Sequence, residues 1–265
     1  MFILAFVLNH TIITKKMLAT ILHKGKTLKV DFFNPIDISM PLFAAANCAS
    51  AWYVPPIKIE PVKMGDWVGD VKQGGSVNFR TITFNPHGNG THTECVGHIS
   101  KEDYSINKCL TRFMFLAELI TVLPETLENG DNVITETVVK QILEDKKSEA
   151  LVIRTLSNSN AKLSAQYSNT NPPYLSKEAV AYLLSLGYEH LLIDMPSIDK
   201  EVDNGVLAAH HAFWEYPHNT QLQRTITEMI YVPNHVLDGS YVLNMQIASF
   251  ENDASPSKPI LYKIN

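Results

Sequence analysis

The chain has 265 residues, and 45% of them are hydrophobic, which provides for a packed core and excludes wholesale disorder. Its formal net charge of -5 argues against a nucleic-acid partner, which demands a basic face. Cys48, Cys95 and Cys109 are too few and too widely spaced for a disulfide framework, and no CxxC pair offers a structural zinc knuckle. A reducing compartment, the cytoplasm, is the simplest reading.

In chain order, Met1 to Leu8 is apolar but far too short to span a bilayer. A secretory signal carries its positive charges first, whereas Lys15 and Lys16 follow the apolar run. Residues 1–27 are therefore set apart as an N-terminal extension, with Met1 and Met17 both open as the start. Residues 28–43, with alternating apolar positions, Pro35 and Pro41, predict short strands and turns. Residues 51–61 are Pro-rich and aromatic and predict an ordered loop. Residues 76–84 alternate with period two and predict a half-buried strand. Residues 114–122 form a near-continuous apolar run. Residues 135–143 have helical spacing with Thr135 as N-cap, and 150–156 predict a buried strand. Residues 176–186 predict a helix capped by Ser176 and stopped by Gly187; a short strand follows at 190–194, and a β pattern returns at 241–250. Strand and helix alternating in this way imply at least partly parallel pairing with right-handed crossovers. Without a linker in the pattern, residues 28–265 are expected to form one α/β domain with mixed sheets and flanking helices.

Chemistry concentrates in His87-Gly-Asn-Gly-Thr-His-Thr-Glu-Cys-Val-Gly-His98, where three histidines and one glutamate fall within twelve residues. Imidazole and carboxylate together suit zinc or manganese. His92 and Glu94 are two residues apart, so on an extended segment both point to one side and can reach one cation. The bland alternative is a polar loop with chance histidines, because short metal patterns have many false positives. Cys95 alternates away from Glu94 and lacks the oriented base that a nucleophilic cysteine needs.

This segment resembles the signature His-x-Gly-Thr-His-x-Asp-x-Pro-x-His of the metal-dependent cyclase family of hydrolases, which includes bacterial kynurenine formamidases and isatin hydrolase. Gly90-Thr91-His92 matches its centre, Glu94 stands at the Asp position and His98 at the last His. Asp37-Ile38-Ser39, Asp194-Met-Pro-Ser197, His210-His211, Glu228 and Asp253-Ala-Ser-Pro256 match further landmarks in order. The sequence departs from the pattern in three places. The first motif histidine belongs at position 88, which is glycine, and His87 lies one residue earlier. Glu94 replaces Asp, which moves the carboxylate by about 1.5 Å, and Val96 replaces Pro.

The resemblance implies the swivelling β/β/α fold, one or two divalent ions per subunit and a homo-oligomer, dimer or tetramer. It also implies hydrolysis of an amide or lactam C–N bond in a small aryl or cyclic substrate. Expected metal ligands are His87, His92, Glu94, His211 and Glu228, with Glu94 bridging two ions. Of the adjacent His210 and His211, which point about 100° apart on a helix, His211 is the expected ligand. His98 is the expected general base and acid, the role a histidine side chain most often takes. Trp52, Tyr53, Phe213 and Trp214 are candidates for an aromatic pocket wall that binds substrate, although such residues are as often core or interface. Two rival functions are a non-catalytic metal or small-ligand binder, favoured by the displaced first histidine, and a cyclase or dehydratase acting on a non-amide substrate. Metal content and an amide and lactam panel separate them, because fold alone does not fix the reaction.

Overall fold

The computed structural model describes residues 16–264, so the apolar run Met1–Leu8 lies outside the described residues. The strands in chain order are β1 (Leu18–His23), β2 (Lys26–Asp31), β3 (Ile36–Asp37), β4 (Lys58–Pro61), β5 (Lys63–Met64), β6 (Trp67–Val68), β7 (Arg80–Thr83), β8 (His92–Glu94), β9 (Met114–Val122), β10 (Glu125–Thr126), β11 (Asn132–Ile134), β12 (Ala150–Thr155), β13 (Tyr174–Leu175), β14 (His190–Ile193), β15 (Thr225–Glu228), β16 (Gly239–Ile247) and β17 (Ala254–Lys263). The helices are α1 (Ile106–Cys109), α2 (Glu136–Leu143), α3 (Lys177–Ser185) and α4 (Ala208–Trp214).

Seven strands close a barrel-like ring in the order β16-β9-β12-β14-β15-β8-β17, with β17 pairing back onto β16 and β3 continuing the sheet past β17. The β9–β12, β12–β14 and β14–β15 pairs are parallel, as the alternation of strands and helices predicts. The remaining barrel pairs are antiparallel. The parallel strands are buried on both faces, which explains their continuous apolar runs. Leu151, Ile153, Leu191 and Ile193 face outward and pack under Val139, Leu143, Val180 and Leu183 of α2 and α3. Their neighbours Ala150, Val152 and Leu192 face inward against Phe115, Leu119, Leu243 and Leu261.

Both predicted helix caps are present. Thr135 Oγ1 accepts from Val138 N at 3.4 Å, and Ser176 Oγ accepts from Ala179 N at 3.1 Å. Gly187, just past α3, adopts φ +86°, the left-handed conformation a glycine takes cheaply.

The segment from 51 to 84 corrects two expectations. Residues 58–61, expected within a loop, form β4, and only Arg80–Thr83 of the expected strand 76–84 is a strand. Far from being half-buried, β7 is exposed along its length, because its named strand partner is β4 and the hairpin lies outside the barrel sheet. Alternation there reports the pleat and not a buried face. Among the described residues, no helix is long and apolar enough to cross a membrane.

Candidate active site

The site is built where β8 is clamped between β15 and β17. Glu94 pairs with Ile226 on one side and Ala254 on the other, and His92 pairs with Glu228 and Pro256. The three residues of β8 are fully buried. Thr93 points away and bonds Thr227 Oγ1 at 2.7 Å, so His92 and Glu94 share the other face, as the extended spacing predicts. Glu228 lies across from His92, with Oε2 3.4 Å from His92 Nε2.

The approach to β8 explains the displaced histidine. A Cβ at Gly88 would lie 2.6 Å from both methyls of Val54 and 3.0 Å from the Ala51 carbonyl oxygen, so a side chain there forces Val54 to shift. Ala51 N donates to Gly88 O at 2.9 Å and holds the backbone in place. The imidazole comes instead from His87, whose Nδ1 stands 3.1 Å from Glu94 Oε2. Gly90 supplies the φ of +73° that returns the chain to β8, and its carbonyl lies 3.1 Å from His92 Nδ1, turning Nε2 toward Glu228.

His98, on the 3-10 turn Val96–His98, brings Nδ1 to 3.7 Å from Glu94 Oε2. The α4 position is a correction: His210, not His211, faces the cluster. His210 Nε2 lies 3.3 Å from Glu94 Oε1 and 3.9 Å from Glu228 Oε1. His211 points to the other side, with Nδ1 3.1 Å from Tyr216 O, as two adjacent helical residues must diverge.

Two carboxylates absent from the expected site complete it. Asp199 Oδ2 lies 2.6 Å from His210 Nδ1 and fixes the ring so that Nε2 looks inward. Asp253 Oδ2 lies 2.8 Å from His87 Nε2 and 3.5 Å from His98 Nδ1. Asp253 was visible as a landmark, but its role needs the β8–β17 pairing. Asp199 has no local signature at all.

Asp194 and Asp37 are structural. Asp194 accepts from Thr155 N and from Lys162 Nζ at 2.8 and 2.7 Å, and Asp37 accepts from Ser39. All three cysteines are buried and free, consistent with the absence of a disulfide framework.

His87 Nδ1, His92 Nε2, His210 Nε2 and both oxygens of Glu94 are buried without a hydrogen-bond partner. Such groups cost free energy unless something pairs them. Burial opposes protonation of His87, yet its bond to Asp253 and the adjacent Glu94 raise its pKa to about 10. His210 behaves alike: burial works against the charge, but Asp199, Glu94 and Glu228 raise its pKa to about 10. Burial pushes the Glu94 carboxyl up, and His98, His210 and His87 outweigh it and hold it well below its ordinary value. Asp253 is lowered for the same reason, His87 and His98 overcoming burial. The centre thus gathers negative charge that calls for positive charge, supplied by protons or by a cation. Among the described residues, three groups have ligand atoms close enough for one ion: His87, His92 and Glu94; Glu94, His98 and His210; His87, His98 and Asp253.

His87, His98, His210 and Glu228 floor a cavity of about 440 Å³ lined also by Trp52, Val54, Asn85, Ser197, Lys200 and Leu207. Trp52 and Tyr53 are consecutive residues at φ +59° and +54°, a conformation that costs on the order of 1–3 kcal/mol each and that clusters at ligand sites. Of the four aromatic candidates, only Trp52 lines this cavity. Tyr53 is 68% exposed and bonds Asn169, and Phe213 and Trp214, the last two residues of α4, face the core.

A kynurenine formamidase of Bacillus cytotoxicus is 26% identical over 211 residues, covering 75% of this chain and 91% of that protein. Two solved structures share the fold. Isatin hydrolase A from Labrenzia aggregata, bound to benzyl benzoate, superposes with a TM-score of 0.63 at 13% identity, over 88% of this chain and 94% of its own. A predicted metal-dependent hydrolase from Bacillus stearothermophilus gives 0.60 at 15% identity, over 86% and 98%. The Cyclase family model matches residues 34–200, more than half of the sequence, including the whole His-rich segment. The chain belongs to the cyclase family.

Proposed function

We propose that this protein is a metal-dependent hydrolase that cleaves the amide or lactam C–N bond of a small aryl or cyclic substrate. The observation that carries this reading is the convergence of five buried ligand-type atoms, on His87, His92, Glu94 and His210, that have no hydrogen-bond partner among the described residues and adjoin a cavity lined by His87 and His210. Imidazole nitrogens and carboxylate oxygens so arranged fit zinc or manganese, and among the described residues no polar group hydrogen-bonds them. His92 Nε2, His87 Nδ1, His210 Nε2, Glu94 and Glu228 would hold the cation. Glu94 belongs to two of the candidate groups, so its carboxylate would serve one or two cations. The relatives named for kynurenine formamidase and isatin hydrolase activity point to the same bond type.

A bound divalent cation supplies a water of lowered pKa and polarises the carbonyl. The chain's own residues do the rest. Trp52 gives the aryl group a flat wall. His98, whose side chain is 32% exposed, keeps Nδ1 toward Asp253 and leaves Nε2 for proton transfer. It takes a proton from the attacking water and returns it to the leaving nitrogen, so the C–N bond breaks to an acid and an amine. The displaced histidine that favoured a non-catalytic binder sits within the cluster, which removes the main support for that reading.

Elemental analysis of protein purified without chelator tests the ligand set. Wild type is expected to hold zinc or manganese, and His92→Ala to lose both metal and activity. Equal metal in the two proteins would overturn the assignment. A panel of aryl formamides and lactams then tests the reaction, and hydrolysis of none of them by the metal-loaded protein would overturn it.

A further inference from the structure

The segment that follows β14 serves the site three times in succession. Ile198 N donates to Glu228 Oε1 at 3.2 Å, and Asp199 holds His210. Lys200 then lines the cavity while its Nζ donates to Asp131 Oδ2 at 2.7 Å. Asp131 is buried and does not line the cavity. Its charge is shared with Asn129 Nδ2, Asn171 Nδ2 and the Tyr174 hydroxyl at 2.9–3.0 Å. Hydrogen bonds from Lys200 first, and then from Asn171, lower its pKa to about 2, so it stays ionised and holds the ammonium in place.

An ammonium has three N–H donors, and among the described residues Asp131 is the one acceptor recorded for Nζ. Two carboxylates share that wall, and backbone N–H groups hold both of them away from Lys200. Glu201 accepts from the backbone N–H of Asn169 and Asn171 at 2.5 and 2.9 Å. Asp203 accepts from Gly205 N and Leu207 N at 2.8 and 2.6 Å. Beside Lys200 the same cavity presents the apolar surfaces of Trp52, Val54 and Leu207. The wall therefore offers an aryl platform and one positioned cation with uncommitted donors.

We propose that Lys200 is a specificity-determining residue and selects aryl amides that carry an anionic group, such as a carboxylate, on the ring or a short side chain. This rests on the hydrolase reading above and adds the substrate's charge to it. Asp131 is a positioning residue that acts through Lys200. A lysine suits the role because a point charge with rotatable donors accepts an anion from several directions.

The test compares 2-, 3- and 4-formamidobenzoate with the matching formamidobenzamides, which have nearly the same shape without the charge. With metal-loaded wild type, at least one acid is expected to exceed its amide in kcat/KM by roughly tenfold, as a charge-assisted hydrogen bond implies. Lys200→Met should bring that ratio to within about twofold of one, and Lys200→Arg should keep it. The ratio is taken within one preparation, so a partly misfolded variant does not disturb it. No preference in wild type, or a preference that survives Lys200→Met, overturns the proposal. Calorimetric titration of benzoate and benzamide reads the same charge without turnover. If no formamide is hydrolysed, the hydrolase reading falls, and benzoate binding still decides Lys200. A benzoate preference lost in Lys200→Met supports it. Equal benzoate affinity in both proteins means the carboxylate seats on the cluster and overturns it.

Discussion

Gly88 shows how one missing side chain redirects a metal centre. With Val54 and the Ala51 carbonyl 2.6–3.0 Å from any Cβ, the position that resembles the family's first histidine is crowded against a side chain, and His87 reaches the same centre from one residue earlier. Gly88→Ala is expected to destabilise the protein by about 1–3 kcal/mol through overpacking, measured by urea unfolding; an unchanged midpoint would refute this account. His98 separates base from ligand. His98→Ala is expected to keep the metal and lose about 10²–10⁴ in kcat. If His98→Ala emptied the site as His92→Ala does, His98 would be a ligand, and the base would have to be sought at His87.

Elements carry their own tests. Ser176 caps α3, which packs with α4, the helix that delivers His210. Ser176→Ala is expected to cost about 1 kcal/mol with no change in metal content, since only a cap bond is lost; a change of metal stoichiometry would contradict it. At the start of β14, His190 is buried against Phe115 and bonds Thr225 Oγ1 at 2.8 Å. Burial first, and the nearby Arg112 charge second, lower its pKa from 6.5 to about 4. The folded protein therefore binds fewer protons there than the unfolded chain between those values. The stability cost is absent above about pH 6.5, grows as pH falls and is complete near pH 4. At pH 5 it amounts to roughly 2 kcal/mol. His190→Gln keeps a polar partner for Thr225 and removes the titration, so its stability difference between pH 7 and pH 5 should be smaller by that amount. An equal difference in both proteins would show that other groups set the pH dependence.

At the scale of the molecule, closure of the ring sets the site. β8 is three residues long, and it is held because β15 and β17 pair with both of its edges. The homo-oligomer implied by the family resemblance is a proposal for this chain. The Pro-rich segment around Trp52 leads into the exposed β4–β7 hairpin, where Phe79 and Ile82 are more than half exposed, and a second copy is what would cover them. Light scattering at micromolar concentration is expected to give at least twice the 29.7 kDa of one chain, and a purely monomeric mass would count against it.

Local chemistry and periodicity determined a good part of this protein. They gave the caps at Thr135 and Ser176, the buried parallel strands at 150–155 and 190–193, and the same-side placement of His92 and Glu94. Each of these depends on residues within a few positions of one another, which is the range over which capping, alternation and turn preference act. Whatever depends on distant segments was decided by tertiary structure. The choice of His210 over His211 depends on how α4 is rolled by Asp199 and its packing, and sequence adjacency leaves it open. Asp253 reaches His87 because β17 lies beside β8, 166 residues away in sequence. Phe213 and Trp214 looked equally suited to a pocket and a core, and the helices packed over the sheet made them core. Burial and long-range pairing are properties of the assembled sheet, so no local pattern of residues carries them.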